Sequence, residues 1–213
     1  MNAFARLLLC TALSGLALGA QARTFEVSDF AELDNAVIEA EDGDEIVIKK
    51  GVYELEAPLE IFSRVTVRGE QGAVIDAGGR GSGFIVRVPK VRIENLTVRN
   101  YGGDLYARDA GVMVGDGADG TELVNLTLQG PGFGVRADRM NALVVEGCTI
   151  EGDADRHVLD RGDGIFLSYV KNARLNHNSL RNVRDGYYLE NVDAAKSDFN
   201  YFTGAQYGIH YMY

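Results

Sequence analysis

Cysteine is scarce in this sequence, which contains only Cys10 and Cys148. Cys10 lies inside an N-terminal apolar run and follows Leu9, where a lipoprotein signal requires a small residue. If that run is removed on export, Cys148 is the one remaining thiol, so no intrachain disulfide can form. The domain must then depend on its hydrophobic core. We expect Cys148 to be a small buried apolar residue, since a metal or redox role would need a partner cysteine.

Basic residues are in the minority, with 21 lysines and arginines against 31 acidic residues. Without Arg6, which lies in the apolar N-terminal segment, the balance is 20 against 31 and the net charge is −11. Such a charge repels nucleic acid and anionic lipid, so partners should be neutral, cationic or metallic. No segment after residue 22 is long and apolar enough to cross a membrane.

The first 22 residues are typical of a secretory signal peptide. Arg6 supplies the positive charge, residues 7–18 form an apolar run too short to span a bilayer, and Ala20-Gln21-Ala22 is a small-x-small cleavage site. An uncleaved N-terminal anchor is the alternative. The sequence therefore predicts a signal peptide at residues 1–22 and a mature domain at residues 23–213.

A repeat is the strongest pattern in the chain. Gly164, Gly186 and Gly208 are spaced by 22 residues, and an apolar-x-apolar pattern follows each of them. A second motif, first seen at residues 96–98, recurs in phase at steps of 30, 22, 30 and 22 residues. The longer steps predict loops inserted into a common coil at residues 101–109 and 153–163.

A coil of this length with short strands is typical of a β-solenoid, which is stable only when coils stack. The sequence therefore predicts an all-β fold, a right-handed single-stranded parallel β-helix. Alternation places Ile165 and Leu167 inward and Phe166 outward. Asn178 and Asn200 are expected to stack as an inward ladder, although surface turn asparagines are the alternative. We expect strands near residues 46–48, 65–67, 92–93, 96–98, 126–128, 165–167, 187–189 and 209–211.

The two ends of the domain differ. Ser28 is a candidate helix N-cap, and apolar residues follow it at helical spacing, namely Phe30, Leu33, Val37 and Ile38. An N-terminal helix is therefore expected to cap the first coil. The first strand is expected after it, at residues 45–48. At the other end the sequence stops within an apolar strand. A solenoid normally ends on a capping element, so the expectation is a chain truncated at its C-terminal end.

An enzymatic function would need paired carboxylates or a calcium site on an outer face. Asp160, Asp163 and Asp185 precede glycine-led strands, but Arg161 and Arg184 lie beside them, which favours Arg/Asp pairs that close the turns. Residues 87–92 match the short RxPxxR string of pectate lyases, but a loop with alternating surface arginines is the favoured interpretation. The Gly-His-Gly, Asn-Thr-Asp and Asp-Pro-His-Asp strings of related hydrolases and epimerases are absent.

His210 and Met212 are candidate metal ligands. They occupy alternate positions of the last strand, so both should point outward, with Tyr188 and Glu190 one coil earlier. An imidazole with a thioether suits copper. The alternative is a pair of solvated surface side chains on an edge coil.

The assembled motifs resemble the NosD family, the periplasmic accessory proteins of nitrous oxide reductase maturation. The resemblance covers most of residues 60–213. Its most specific part is the final heptapeptide, Tyr207-Gly208-Ile209-His210-Tyr211-Met212-Tyr213. The other matching segments are residues 72–76, 91–99, 109–112, 161–165 and 184–186.

This resemblance implies a periplasmic protein without catalytic activity of its own. It would act with an ABC-type transporter, comprising a membrane permease and a cytoplasmic ATPase, and with a copper chaperone and nitrous oxide reductase. It would help to assemble the copper–sulfur centre, with copper or sulfur as cargo. Two alternatives remain: a β-helix carbohydrate-active enzyme, such as a polysaccharide lyase or epimerase, and a passive adhesin-like surface solenoid.

Overall fold

The computed structural model describes residues 21–213, so all of the predicted signal peptide except Gln21 and Ala22 lies outside the described residues. The chain winds as a parallel β-helix, and every strand pairing between the described strands is parallel. The helix is α1 (Phe30–Glu39), and a short 3-10 helix covers Val158–Asp160. The strands are β1 (Thr24–Val27), β2 (Glu45–Ile48), β3 (Gly51–Glu54), β4 (Leu59–Ile61), β5 (Thr66–Gly69), β6 (Ala73–Asp76), β7 (Phe84–Val86), β8 (Arg92–Glu94), β9 (Thr97–Arg99), β10 (Ala110–Val114), β11 (Glu122–Val124), β12 (Thr127–Gln129), β13 (Phe133–Asp138), β14 (Val144–Glu146), β15 (Thr149–Glu151), β16 (Ile165–Ser168), β17 (Arg174–Asn176), β18 (Ser179–Arg181), β19 (Asp185–Glu190), β20 (Lys196–Asp198), β21 (Tyr201–Thr203) and β22 (Tyr207–Met212).

Successive coils contribute their strands to three sheets. The first sheet has the order β1-β2-β5-β8-β11-β14-β17-β20, the second β3-β6-β9-β12-β15-β18-β21 and the third β4-β7-β10-β13-β16-β19-β22. The predicted fold class is therefore confirmed, and each predicted strand matches an observed strand to within two residues at either end.

The glycine-led strands stack in the register that their spacing predicts. Ile165 pairs with Tyr187, and Tyr187 pairs with Ile209. A Cβ atom at Gly164 would overlap the side chain of Leu180, and one at Gly186 would overlap Phe202. Glycine therefore begins these strands because an inward side chain of the second sheet fills the space.

The core consists of ladders of inward side chains, one rung per coil. In the first sheet a fully buried ladder of six aliphatic residues runs through successive coils. Each such side chain contributes roughly 1.5–3 kcal/mol by leaving water. The ladder comprises Ile46, Val67, Ile93, Leu123, Val145 and Leu175.

The predicted asparagine ladder is confirmed. Oδ1 of Asn178 accepts the backbone N–H of Cys148 at 3.0 Å, and Oδ1 of Asn200 accepts that of Asn178 at 2.8 Å. Cys148 is buried as expected, and burial raises the pKa of its thiol to about 12. A thiol with so high a pKa stays protonated and unreactive at neutral pH.

The N-terminal cap differs in detail from the prediction. Asp29, not Ser28, is the N-cap of α1, because its side chain accepts the backbone N–H of Glu32 at 2.9 Å. Ser28 instead donates through both its backbone N–H and its hydroxyl to the Glu32 carboxylate at 2.8 Å. Ile38 lies outside the packed face of the helix and is exposed, whereas Leu33 is buried.

A strand that the sequence analysis missed precedes the helix. β1 pairs with β2, so the expectation of a first strand at residues 45–48 was wrong. β1 alternates exposed residues with the more buried Phe25 and Val27, which pack on the core. It is only four residues long, so this alternation is a weak signal in the sequence. Within residues 21–213, no helix is long and apolar enough to span a membrane.

Candidate functional site

The outer face of the third sheet carries a ladder of planar side chains, here called the π ladder. Its members are Arg136, Phe166, Tyr188 and His210, which pair in register across four successive strands. The guanidinium carbon of Arg136 lies 4.1 Å from the centre of the Phe166 ring. The rings of Phe166 and Tyr188 are stacked with centres 5.0 Å apart, and those of Tyr188 and His210 meet edge to face at 4.8 Å. Rings this close restrict one another's rotation, so His210 is held in a defined orientation.

His210 is fixed further by a carboxylate beneath it. Its Nδ1 atom lies 2.8 Å from Oδ2 of Asp185, whose side chain is almost completely buried. Oδ1 of Asp185 accepts the backbone N–H of Tyr207 at 3.2 Å. With Nδ1 committed to Asp185, Nε2 is the ring nitrogen left for a ligand.

Met212 lies two residues further along the same strand. It pairs in register with Glu190, just as His210 pairs with Tyr188, so the four residues occupy the neighbouring positions that their spacing predicts. Met212 is exposed, and His210 is about one third exposed. The Glu190 carboxylate accepts the hydroxyl of Ser168 at 2.6 Å.

The outer face of the third sheet offers few possible metal ligands. Within residues 21–213, no group of three or more histidine, cysteine, aspartate or glutamate side chains is arranged to hold a metal ion. A closed structural metal site needs about four ligands, and His210 and Met212 supply two.

Asp163 and Asp185 occupy equivalent positions in adjacent coils, and both carboxylates form hydrogen bonds with neighbouring residues. Arg184 donates from Nε and Nη2 to the two oxygens of Asp163, at 2.9 and 2.6 Å. Oδ1 of Asp163 also accepts the backbone N–H of Asp185 at 3.2 Å. Burial raises the pKa of Asp163, and Arg184 opposes that shift. A carboxylate buried and bonded in this way holds the coil together and cannot contact a substrate.

Arg161 differs from the expected Arg/Asp pairing. Its guanidinium donates to the backbone carbonyls of Ala154, Arg156 and Gly204 instead of to a carboxylate. It therefore fastens the inserted loop 153–163 to a later coil. The neighbouring Asp160 lies exposed in the short 3-10 helix.

The arginines of the RxPxxR string form ion pairs. Arg87 donates to Glu60 at 2.9 Å. Arg92 pairs with Glu94 at 2.6 Å and with Glu122 in the next coil. These contacts agree with the interpretation of the string as a loop with surface arginines, and they add that both arginines are paired with carboxylates.

The two inserted loops converge on one cleft, which the sequence analysis did not identify. Both insertions follow strands of the second sheet and precede strands of the third, so they project from the same corner of the coil. Arg184 lies in the cleft, and its guanidinium carbon is 5.8 Å from the ring centre of Tyr188, which connects the cleft to the π ladder. The cleft has a volume of about 580 Å³ and is lined by Gly103, Asp104, Leu105, Tyr106, Phe133, Arg156, Leu159, Asp160 and Arg184.

Comparison with known protein families assigns the chain to a β-helix family. The family described as "Right handed beta helix region" matches residues 15–213, so the chain belongs to the right-handed β-helix family. A protein of Stutzerimonas stutzeri named "Probable ABC transporter binding protein NosD" is 39% identical over 137 residues, and its namesake from Pseudomonas aeruginosa is 36% identical over 136 residues. These relatives confirm the resemblance to the NosD family.

The matches to the NosD relatives cover only part of each chain. The matched residues cover 64% of this chain but only 30% of each NosD relative. Among solved structures, a protein of Parabacteroides merdae described as a candidate glycosyl hydrolase has a TM-score of 0.58. That match covers 87% of this chain and 96% of the other at 14% identity, so it shows the fold alone.

Proposed function

We propose that this chain belongs to a periplasmic accessory protein that assists assembly of the copper or sulfur part of the nitrous oxide reductase centre. The observation that carries the proposal is the 39% identity to a protein named as an ABC transporter binding protein NosD. The proposed partners are the permease and ATPase of an ABC transporter, a copper chaperone and the reductase itself. The chain would have no catalytic activity of its own.

The role proposed for the His210–Met212 surface is transient contact with copper as cargo. The Nε2 atom of His210 faces away from the Asp185 contact, and Met212 adds a thioether at the next outward position of the strand. Imidazole and thioether are ligands that suit copper better than calcium or magnesium. A site of two ligands on an open strand face can accept and release an ion, whereas a closed site would retain it.

The test is complementation with the complete gene in cells that lack it. We expect the double variant His210→Ala, Met212→Ala to lower both the copper content of the reductase and its N₂O-reducing activity. His177→Ala is the matched control, because His177 is exposed on a turn between the first and second sheets, remote in register from β22. Full restoration of the reductase by the double variant would rule out a metal role for these two residues.

A carbohydrate-active β-helix enzyme is the second candidate, and the cleft between the inserted loops is the observation that favours it. Its volume of about 580 Å³ lies within the range of ligand sites, and Asp160 and Arg184 supply polar groups. Asp163 and Asp185 are buried, so the carboxylates to test are Asp104 and Asp160, which line the cleft. Turnover of pectin, alginate or hyaluronan, with or without calcium, that disappears in Asp104→Ala or Asp160→Ala would favour the enzyme over the accessory protein.

A further inference from the structure

A second surface groove lies at the other end of the molecule, between the capping helix α1 and strand β4. It has a volume of about 400 Å³, within the range of roughly 300–1,000 Å³ typical of binding sites. None of the proposed functional residues lies near it in the chain. Its lining residues are Asp34, Val37, Ile38, Pro58, Leu59, Glu60, Phe62 and Ser63.

The groove exposes two large apolar side chains, one on the capping helix and one just after strand β4. Ile38 is 73% exposed and Phe62 is 64% exposed. A capping element of a solenoid normally presents a polar outer face, because its task is to end the stack and keep it soluble. The contact of α1 with the coils rests on the buried Leu33 and Ala36, so Ile38 lies on a part of the helix that faces solvent.

The surroundings of the groove are acidic. Residues 29–44 contain seven acidic residues and no basic one. Two of the carboxylates are paired, Glu60 with Arg87 at 2.9 Å and Asp42 with Arg64 at 2.6 Å. None of the residues that line the groove in the described part of the chain is basic, and Asp34 in the lining forms no ion pair with a described residue. The groove therefore combines exposed apolar side chains with an unpaired carboxylate in an acidic segment.

We propose that this groove docks a polypeptide segment that carries one or two apolar side chains flanked by lysine or arginine. The apolar side chains would cover Ile38 and Phe62, and the flanking cations would pair with carboxylates such as Asp34. Charge complementarity selects this occupant. A second copy of this chain would bring two acidic faces together, and an anionic membrane would be repelled in the same way. The inference does not depend on the proposed copper function.

The test uses the full chain and a fluorescein-labelled peptide, Lys-Lys-Leu-Phe-Lys-Lys, whose binding is followed by fluorescence anisotropy. We expect binding that weakens as salt is raised. Two comparison peptides, Lys-Lys-Ser-Ser-Lys-Lys and Glu-Glu-Leu-Phe-Glu-Glu, should bind at least tenfold more weakly. The first lacks the apolar side chains, and the second lacks the cationic ones.

Variants locate the binding on the chain. Ile38→Ser with Phe62→Ser should weaken binding of the Lys-Lys-Leu-Phe-Lys-Lys peptide at least tenfold, and Asp34→Lys should weaken it and reduce its salt dependence. Val52→Ser is the matched control, because Val52 is an exposed apolar residue outside the groove. Far-UV circular dichroism confirms that each variant is folded.

Undetectable binding, equal binding by the serine or glutamate peptide, or undiminished binding by the double variant would overturn the proposal. Self-association of the wild-type chain that the double variant abolishes would also overturn it, in favour of a second copy as the occupant.

Discussion

Nδ1 of His210 lies 2.8 Å from Oδ2 of Asp185, and the Asp185 side chain is almost completely buried. The same carboxylate accepts the backbone N–H of Tyr207, so it is bound to the strand that carries the histidine. A carboxylate behind a histidine fixes the tautomer and the orientation of the ring. The pair therefore leaves Nε2 as the ring nitrogen of His210 that does not bond to Asp185.

The first prediction concerns the orientation of His210 by Asp185. Asp185→Asn should lower the affinity of the chain for copper(I) by roughly 10- to 100-fold, the usual effect of losing the partner behind a ligating histidine. Competition with a chromogenic copper(I) chelator measures it. Asp198→Asn is the control, because Asp198 is an exposed carboxylate in the same last coil. Unchanged affinity in Asp185→Asn would show that the carboxylate does not position a copper ligand.

The repeat pattern was sufficient to predict the coil and its register. An inward residue at every second position and a spacing of 22 residues define which side chains stack, as with Ile165, Tyr187 and Ile209. The asparagine ladder followed from the same spacing, because equivalent positions in adjacent coils lie about 4.8 Å apart. The spacing also placed His210 beside Tyr188.

Features that depend on non-local contacts could not be predicted. β1 is only four residues long, so its alternation is a weak signal, and its pairing with β2 is what identifies it as a strand. Ser28 and Asp29 are both good N-caps, so the helix start was ambiguous by one residue. The cleft needs two loops that are about fifty residues apart in sequence to meet. The partners of Arg161 depend on how one of those loops folds back.

The second prediction concerns the asparagine ladder. The Asn178 amide accepts the N–H of Cys148 and donates to the carbonyl of Val145 at 2.9 Å. Asn178→Leu would leave both backbone groups buried without partners, so it should lower the free energy of unfolding by about 2–4 kcal/mol. Urea denaturation measures the change. Asn200→Leu should cost less, because Asn200 is only half-buried in the last coil, and equal losses would contradict the ladder as the cause.

The third prediction concerns Arg184, which bonds to the buried Asp163. Arg184→Met should lower the free energy of unfolding by roughly 3–5 kcal/mol at neutral pH, because the Asp163 carboxylate loses its counter-charge while it stays buried. Arg181→Met is the control, since Arg181 pairs with Glu151 on a half-exposed surface. A loss as small as that of the control would show that Asp163 is solvated or protonated in the wild type.

The loss in Arg184→Met should depend on pH in a definite direction. Burial raises the folded-state pKa of Asp163, and removal of Arg184 takes away the main opposing influence. When the folded-state pKa of an acid exceeds its unfolded value, the folded state binds more protons, so stability falls as pH rises through that pKa. Denaturation between pH 4 and pH 8 should therefore show the variant closest to wild type at the acid end. A deficit that grows as the pH falls would contradict this assignment.

The last prediction concerns Tyr101, whose hydroxyl is buried and makes no hydrogen bond to any described residue. Burial raises the pKa of this phenol well above its usual range, so it stays neutral. A buried hydroxyl without a partner costs roughly 1–3 kcal/mol, and phenylalanine fills the same space without that cost. We therefore expect Tyr101→Phe to raise the melting temperature, by roughly 2–4 °C for each kcal/mol gained in a chain of this size. Tyr187→Phe is the matched control and should lower the melting temperature, because the Tyr187 hydroxyl accepts a hydrogen bond from Asn178 at 3.2 Å. If Tyr101→Phe is destabilised as much as Tyr187→Phe, the Tyr101 hydroxyl has a bound partner, such as a buried water molecule.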